Sequence, residues 1–161
     1  MKSIKIEIKW AILFSLMMLA WMFLERLAGL HDQHIDKHAI YTNFVAIPSI
    51  LLFVLALKDK KKNYYSGQMS FAKGFISGLL MTGFIVLIVP LNQYITLNYI
   101  MPDYFKKATE YALENKLATA EELAAFFNAE SYLVMSLFGA VIMGIVTSAI
   151  VAVFVRTKES K

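Results

Sequence analysis

The three histidines of the chain lie within eight positions of one another, at His31, His34 and His38. In a helix, His34 and His38 would lie one turn apart, and His31 would lie one turn before His34. Asp32 and Asp36 alternate with them, and imidazole with carboxylate is a ligand set for zinc and other divalent transition metals. The chain has no HExxH pattern and no second cluster of such ligands. A solvated loop is therefore the preferred interpretation, and a metal site at His31, His34 and His38 is the alternative.

Glu25 and Arg26 stand at the end of an apolar stretch. Ionisable residues in a membrane span are costly and often functional. Neighbours in sequence point about 100° apart on a helix, so each of the two needs a partner elsewhere. We expect a polar cluster near the outer membrane interface, formed by Glu25, Arg26, Asn43, Asn92 and Gln93. A structural polar link is the preferred role, and a substrate or proton role is the alternative.

The elements that must position these residues are apolar. The chain has 161 residues, of which 58% are hydrophobic and 17% charged, whereas soluble domains are about 45–50% apolar and about 25% charged. A membrane helix needs roughly 20 apolar residues. Four stretches are of about this length or longer: 10–30, 39–57, 71–95 and 131–155. The sequence thus predicts an all-α four-transmembrane-helix bundle in a single membrane domain, residues 1–161.

The basic residues indicate an orientation. Eleven Lys and Arg residues lie at the two termini and in the 58–73 segment, and five lie in the other two loops. Positive charge is retained in the cytoplasm, so both termini are expected there. The basic blocks could also attract anionic lipids, but setting the topology is the preferred role. The first stretch is interpreted as a retained helix, because no small-residue cleavage site follows its apolar part.

Small residues recur at a spacing of four within the third and fourth stretches. Gly74 and Gly78 lie on one face of the third helix, and Ala140, Gly144 and Ser148 lie on one face of the fourth. Small residues let helix backbones approach closely in a membrane. These faces are therefore predicted to form helix–helix contacts, and a homodimer face is the alternative.

The segment 102–130 is longer than a turn requires and has its own helical pattern. Pro102 and Asp103 suit the first turn of a helix, and Thr119 with Glu122 forms a capping box for a second one. We expect an extracytoplasmic amphipathic helical hairpin between the third and fourth spans. It either caps the bundle, which is preferred, or docks a periplasmic or membrane protein partner.

Four motifs resemble a known family. They are the stretches 36–43 (DKHAIYTN), 71–78 (FAKGFISG), 102–105 (PDYF) and 139–150 (GAVIMGIVTSAI). They resemble a domain-of-unknown-function family of small four-span bacterial membrane proteins. The resemblance implies a location in the bacterial cytoplasmic (inner) membrane. It implies no assigned activity and transfers no catalytic residues.

Motifs typical of enzymes and of nucleic-acid-binding proteins are absent from the sequence. The sequence has no phosphate-binding glycine loop, no nucleophile elbow and no Rossmann fingerprint, so no enzymatic activity and no cofactor are expected. Basic residues with interleaved aromatics on a soluble face are also absent, which argues against nucleic-acid binding. The expected function is that of a non-enzymatic, multi-pass membrane protein in contact with the lipid bilayer, acting through a partner or through self-association as a homo-oligomer. The alternative is a minor transporter or channel component that uses the polar cluster.

Overall fold

The computed structural model describes residues 4–157, which form seven α-helices and no strand. The helices are α1 (Lys5–Leu27), α2 (Ile35–Tyr41), α3 (Ala46–Asn63), α4 (Phe71–Ile95), α5 (Tyr104–Glu114), α6 (Ala120–Phe126) and α7 (Ala129–Val155). A 3₁₀ turn, Thr42–Val45, joins α2 to α3, and a π-helical turn, Thr96–Ile100, extends α4. Some of the terminal lysines counted above lie outside the described residues, namely Lys2, Lys158 and Lys161.

Four helical stretches are long and apolar enough to cross a membrane: Lys5–Leu27, Ile35–Asn63, Phe71–Ile100 and Ala129–Val155. The predicted all-α fold with four membrane-crossing helices is confirmed. The second stretch begins earlier than predicted, because α2 and the 3₁₀ turn lead into α3 without a break. The third ends later, because the π-helical turn continues α4 beyond Ile95.

Helix α1 ends three residues earlier than the predicted stretch, in a Schellman motif. The amide of Gly29 donates to the carbonyl of Arg26 at 3.0 Å, and the amide of Leu30 donates to that of Glu25 at 3.0 Å. The motif needs a left-handed residue after the helix, and Gly29 provides it with a φ of +72°. The chain therefore turns back sharply at this point and enters α2.

The closest helix contact joins α4 and α7. A Cβ atom at Gly78 would lie 2.5 Å from Ser148 Oγ, and one at Gly144 would clash with Thr82. Gly74 faces Ala152 in the same way. The two backbones approach closely because the residues between them are small.

Charged residues join the helices at the end of the bundle that holds the start of α1 and the end of α7, which we call the terminal side. Glu7 on α1 and Lys60 on α3 form an ion pair of 2.7 Å, with 3% of each side chain exposed. Beside it, Lys9 pairs with Asp59. Lys61 donates to the last carbonyl of α7 at 2.9 Å. These contacts tie α3 to both α1 and α7.

Helices α5 and α6 lie at the opposite end of the bundle, which we call the hairpin side. The predicted capping box is present, with Thr119 and Glu122 bonded to each other's backbone. The apolar face of the pair is buried at Tyr104, Ala108 and Leu123. Aromatic contacts join this face to the start of α7, so the predicted helical hairpin is confirmed and packs on the bundle.

Candidate functional site

A buried carboxylate at the hairpin end of α1 is the centre of the site. Glu25 is 2% exposed at its side chain, and the Schellman turn brings His31 back against it. The Nε2 atom of His31 lies 3.1 Å from Glu25 Oε2. Helix α2 then runs back past the same point, so that Nε2 of His38 lies 3.5 Å from the same oxygen. We call these three residues the Glu25 cluster.

Two aromatic side chains hold the Glu25 cluster in place. The indole Nε1 of Trp21, one turn before Glu25, donates to Oε1 at 2.5 Å, which leaves Oε2 facing the imidazoles. The hydroxyl of Tyr104, at the start of α5, lies 3.3 Å from Nδ1 of His38. Burial raises the pKa of the Tyr104 phenol far above its ordinary value, so the phenol is protonated at neutral pH.

The cluster contains orphaned polar atoms. Within residues 4–157, His38 Nε2 and His31 Nδ1 are buried and have no hydrogen-bond partner. The ligand atoms of Glu25, His31 and His38 all lie within 4.8 Å of one another. Two imidazoles and one carboxylate thus converge on one small volume, a donor set suited to a divalent transition metal.

The structure separates the other predicted site residues from this cluster. His34 is exposed and directly precedes α2, away from the other two histidines. Arg26 points to the π-helical turn and donates to the carbonyl of Tyr99 at 2.9 Å. Asn43 donates to a carbonyl of its own helical segment, that of Ala39, at 2.7 Å.

The last two residues of the expected polar cluster bridge other helix pairs. The amide of Asn92 on α4 donates to the carbonyl of Ser15 on α1 at 3.1 Å. Gln93 donates to the hydroxyl of Ser136 on α7. The five residues expected in one cluster therefore lie in different places, with Glu25 and Arg26 apart from the others.

Asn43, Asn92 and Gln93 do share a cavity. Between α1, α3, α4 and α7 there is a space of about 570 Å³, which we call the bundle cavity. Its apolar lining includes Met18 and Phe53, and Ala140 of the predicted packing stripe also lines it. The cavity lies in the half of the bundle nearer the hairpin.

A second pocket, of about 310 Å³, lies at the hairpin side. Its wall includes His31 and Tyr104, together with Asp32 and Lys107, which form an ion pair of 2.9 Å. His38 lines the bundle cavity instead. The Glu25 cluster therefore lies between the bundle cavity and this second pocket. We call the second pocket the surface pocket.

Sequence reasoning missed three contributors to the site. Trp21 lies within the first apolar stretch and Tyr104 within the motif 102–105, and no pattern described above singles out either of them or Ser136. The spacing of four between Trp21 and Glu25 was a local signal, because residues four apart on a helix are neighbours. The contact of Tyr104 with His38 spans 66 positions and had no such signal.

One known family matches nearly the whole chain, including the site. Residues 9–157 match the family described as protein of unknown function (DUF4199). The chain belongs to this family. The DUF4199 match includes the Glu25 cluster and every residue that lines the two cavities, and it confirms the predicted membership of a domain-of-unknown-function family. No curated protein matches the chain, and no solved structure matches it.

Proposed function

We propose that this protein is a non-enzymatic membrane protein that holds one small amphipathic molecule from the bilayer in its bundle cavity, as the binding component of a transport process. The observation that carries the proposal is the cavity of about 570 Å³ between the four long helices. Ligand pockets commonly measure about 300–1,000 Å³ and are mostly apolar with a few polar groups.

The distribution of the lining residues favours an amphipathic occupant. The deeper part is formed by apolar side chains such as Phe14, Phe53 and Ile85. Asn92 and Gln93 lie at the hairpin end of α4, where their side chains are held by bonds to α1 and α7. An apolar chain would fill the deeper part, and a polar head would lie near the amides.

The opening of the cavity favours entry from the lipid. The lining includes exposed residues on α3 (Ala46 and Ile50) and on α7 (Gly139 and Met143). A gap between these two helices at membrane depth faces acyl chains. An occupant that reaches the cavity this way must itself partition into the bilayer.

Filling the cavity from α7 tests the proposal. Gly139 lines the cavity and a Cβ atom there would have no atom within 4 Å, so Gly139→Phe adds a bulky side chain at the cavity wall without a clash at its Cβ. The matched control is Gly83→Phe, since Gly83 also has open space around it, is exposed and lies outside the lining. The probe is hexadecanoic acid with a photoreactive diazirine in mid-chain, added to the full chain in detergent.

We expect photo-labelling of inward-facing lining residues such as Met18 and Phe53 in the wild type and in Gly83→Phe. Labelling of these residues should fall at least tenfold in Gly139→Phe, while the melting temperatures of the two variants stay equal. Equal labelling in both variants would mean that the probe contacts only the outer surface, and the proposal would be wrong.

The proposed orientation places the terminal side in the cytoplasm of a bacterium and the hairpin side outside the inner membrane. The lysine-rich end of α3 supports it, because positive charge is retained inside. The chain has no cysteine, so single substitutions report accessibility cleanly. In intact cells, Lys116→Cys should react with a membrane-impermeant maleimide, and Lys62→Cys should react only after lysis. The reverse pattern would overturn the orientation.

Partner binding or self-association through the hairpin is the second candidate. Leu113, Leu117 and Phe126 are 44%, 66% and 59% exposed and lie at the hairpin, apart from its buried face. A photoreactive residue at position 117 should then give a cross-linked species in cells, and the same residue at Glu121 should not. Recovery of the protein alone from both would contradict this candidate.

A further inference from the structure

We propose that Glu25, His31 and His38 bind one divalent transition-metal ion, through Glu25 Oε2 and the two Nε2 atoms. The ligand chemistry is that of zinc and its first-row neighbours. The proposal rests on the Glu25 cluster alone and does not depend on the occupant of the bundle cavity.

The distances fit a metal site. Zinc binds nitrogen and oxygen ligands at about 2.0–2.1 Å, so two ligands of a tetrahedral site lie about 3.3 Å apart. The Nε2 atoms of His31 and His38 lie 3.1 Å and 3.5 Å from Glu25 Oε2. Two of the three ligand–ligand distances are therefore near the tetrahedral value, and the third is at most 4.8 Å.

The buried negative charge of the Glu25 carboxylate also favours a bound cation. Buried charges in proteins are paired or coordinate metals. Among residues 4–157, no lysine or arginine lies within 4.0 Å of the Glu25 carboxylate, and its only ion-pair partners are His31 and His38. A divalent ion between the three side chains would neutralise the carboxylate and would also bind Nε2 of His38, which makes no hydrogen bond to any described residue.

Tyr104 and Trp21 contact the proposed ligands in the way that side chains next to metal ligands usually do. Metal-binding histidines usually bond through their second ring nitrogen, and metal-binding carboxylates accept further hydrogen bonds. Nδ1 of His38 faces the Tyr104 hydroxyl at 3.3 Å, and Oε1 of Glu25 accepts from Trp21 at 2.5 Å. Both contacts turn the proposed ligand atoms towards the same point.

The donor set selects the class of metal and leaves room for a fourth ligand. Two imidazole nitrogens favour zinc, cobalt, nickel or iron over magnesium and calcium, which take oxygen ligands. Three protein ligands leave a position open, as in catalytic zinc sites and unlike closed structural ones. The surface pocket, which is lined by His31, provides a path for the ion.

The experiment measures metal binding by the purified full chain. The protein is isolated in detergent through an affinity tag without histidine, treated with a chelator, and dialysed against micromolar Zn²⁺ with millimolar Mg²⁺ present. Bound zinc is counted by elemental mass spectrometry, and Co²⁺ is used as a spectroscopic probe of tetrahedral coordination. His31→Gln and His38→Gln remove proposed ligands. His34→Gln is the matched control, because His34 is exposed and lies outside the cluster.

We expect one Zn²⁺ per chain for the wild type and for His34→Gln, and affinity at least about 100-fold lower for His31→Gln and His38→Gln. No zinc on the wild type, or an equal loss in His34→Gln, would overturn the proposal and leave a hydrogen-bonded histidine pair. If a ligand variant does not fold, Tyr104→Phe replaces it, with an expected loss of about tenfold. Unchanged affinity in that variant would also overturn the proposal.

Discussion

The contact between α4 and α7 can be tested by adding a single methyl group at Gly78. A Cβ atom there would lie 2.5 Å from Oγ and 2.6 Å from Cβ of Ser148, and 3.2 Å from its backbone Cα. These atoms belong to a short side chain and to backbone, so the helices themselves must separate. Overpacking of this kind costs about 1–3 kcal/mol. Gly78→Ala should therefore destabilise the protein, although alanine favours a helix by about 1 kcal/mol over glycine.

The matched control is Gly83→Ala on the same helix, where a Cβ atom would meet nothing within 4 Å. Both variants gain the same helix propensity, so only the contact with Ser148 separates them. The expected difference of about 1–3 kcal/mol corresponds to a melting temperature about 2–12 °C lower for Gly78→Ala in a chain of this size. Thermal unfolding in one detergent, followed by circular dichroism, measures this difference.

A second substitution tests whether the cause is the contact with Ser148. Ser148→Gly removes the two closest atoms, so Gly78→Ala combined with Ser148→Gly should be at least as stable as Gly78→Ala alone, despite the added glycine. Equal melting temperatures for Gly78→Ala and Gly83→Ala would refute the close approach of α4 and α7. A double variant that is less stable than Gly78→Ala alone would refute Ser148 as the residue in contact.

Two further outcomes are expected. Glu7→Gln or Lys60→Met alone should lower the free energy of unfolding by about 3–5 kcal/mol, because each removes one half of a buried ion pair. The double variant should recover much of this loss, and additive losses in a double-mutant cycle would contradict the pairing. Hydrogen bonds from the backbone and hydroxyl of Thr119 lower the pKa of Glu122, so their stabilisation of α6 is present above the ordinary pKa of a glutamate and is lost as the pH falls through the lowered value. The protection factors of the backbone amides in α6, which are corrected for the intrinsic pH dependence of exchange, should therefore fall in acid, and Thr119→Ala should lower them at every pH. Protection factors in the wild type that do not change with pH would contradict this.

The helices could be predicted from the sequence because their signals are local. Apolar stretches of sufficient length predict spans, and Thr119 with Glu122 is a pattern within one turn. The small residues at Gly74, Gly78 and Gly144 also follow a helical spacing, and the structure places all three against the partner helix. In each case the pattern and the contact depend on residues a few positions apart on one helix.

The candidate site could not be predicted in the same way, because its contacts depend on where the chain reverses. Helical spacing groups His34 with His31 and His38, but residues 28–34 form turns and α2 begins only at Ile35, so His31 and His34 are not on the helix that this spacing assumes. After the reversal, His31 and His38 face Glu25, and His34 is exposed. A glycine directly after the end of an apolar helix was the signal that could have indicated this reversal.

The ion pair of Glu7 and Lys60 was missed for a different reason. Both residues lie at the edges of apolar stretches, where charged side chains are usually solvated at the membrane surface. Their burial depends on the side-by-side packing of α1 and α3, which a single sequence does not reveal. A buried pair at the end of a span is thus a property of the assembled bundle and of no single segment.

The position of the ion pairs has a mechanical consequence for the bundle. Glu7–Lys60 and Lys9–Asp59 fasten α3 at one end, while the gap beside Ala46 and Ile50 lies towards its other end. Two ion pairs therefore restrain α3 at its lysine-rich end, and its other end continues into the 3₁₀ turn and α2. A tilt of α3 about this end would change the width of the opening near Ala46 and Ile50, so the proposed cavity would accept occupants of different size while both ion pairs stay formed.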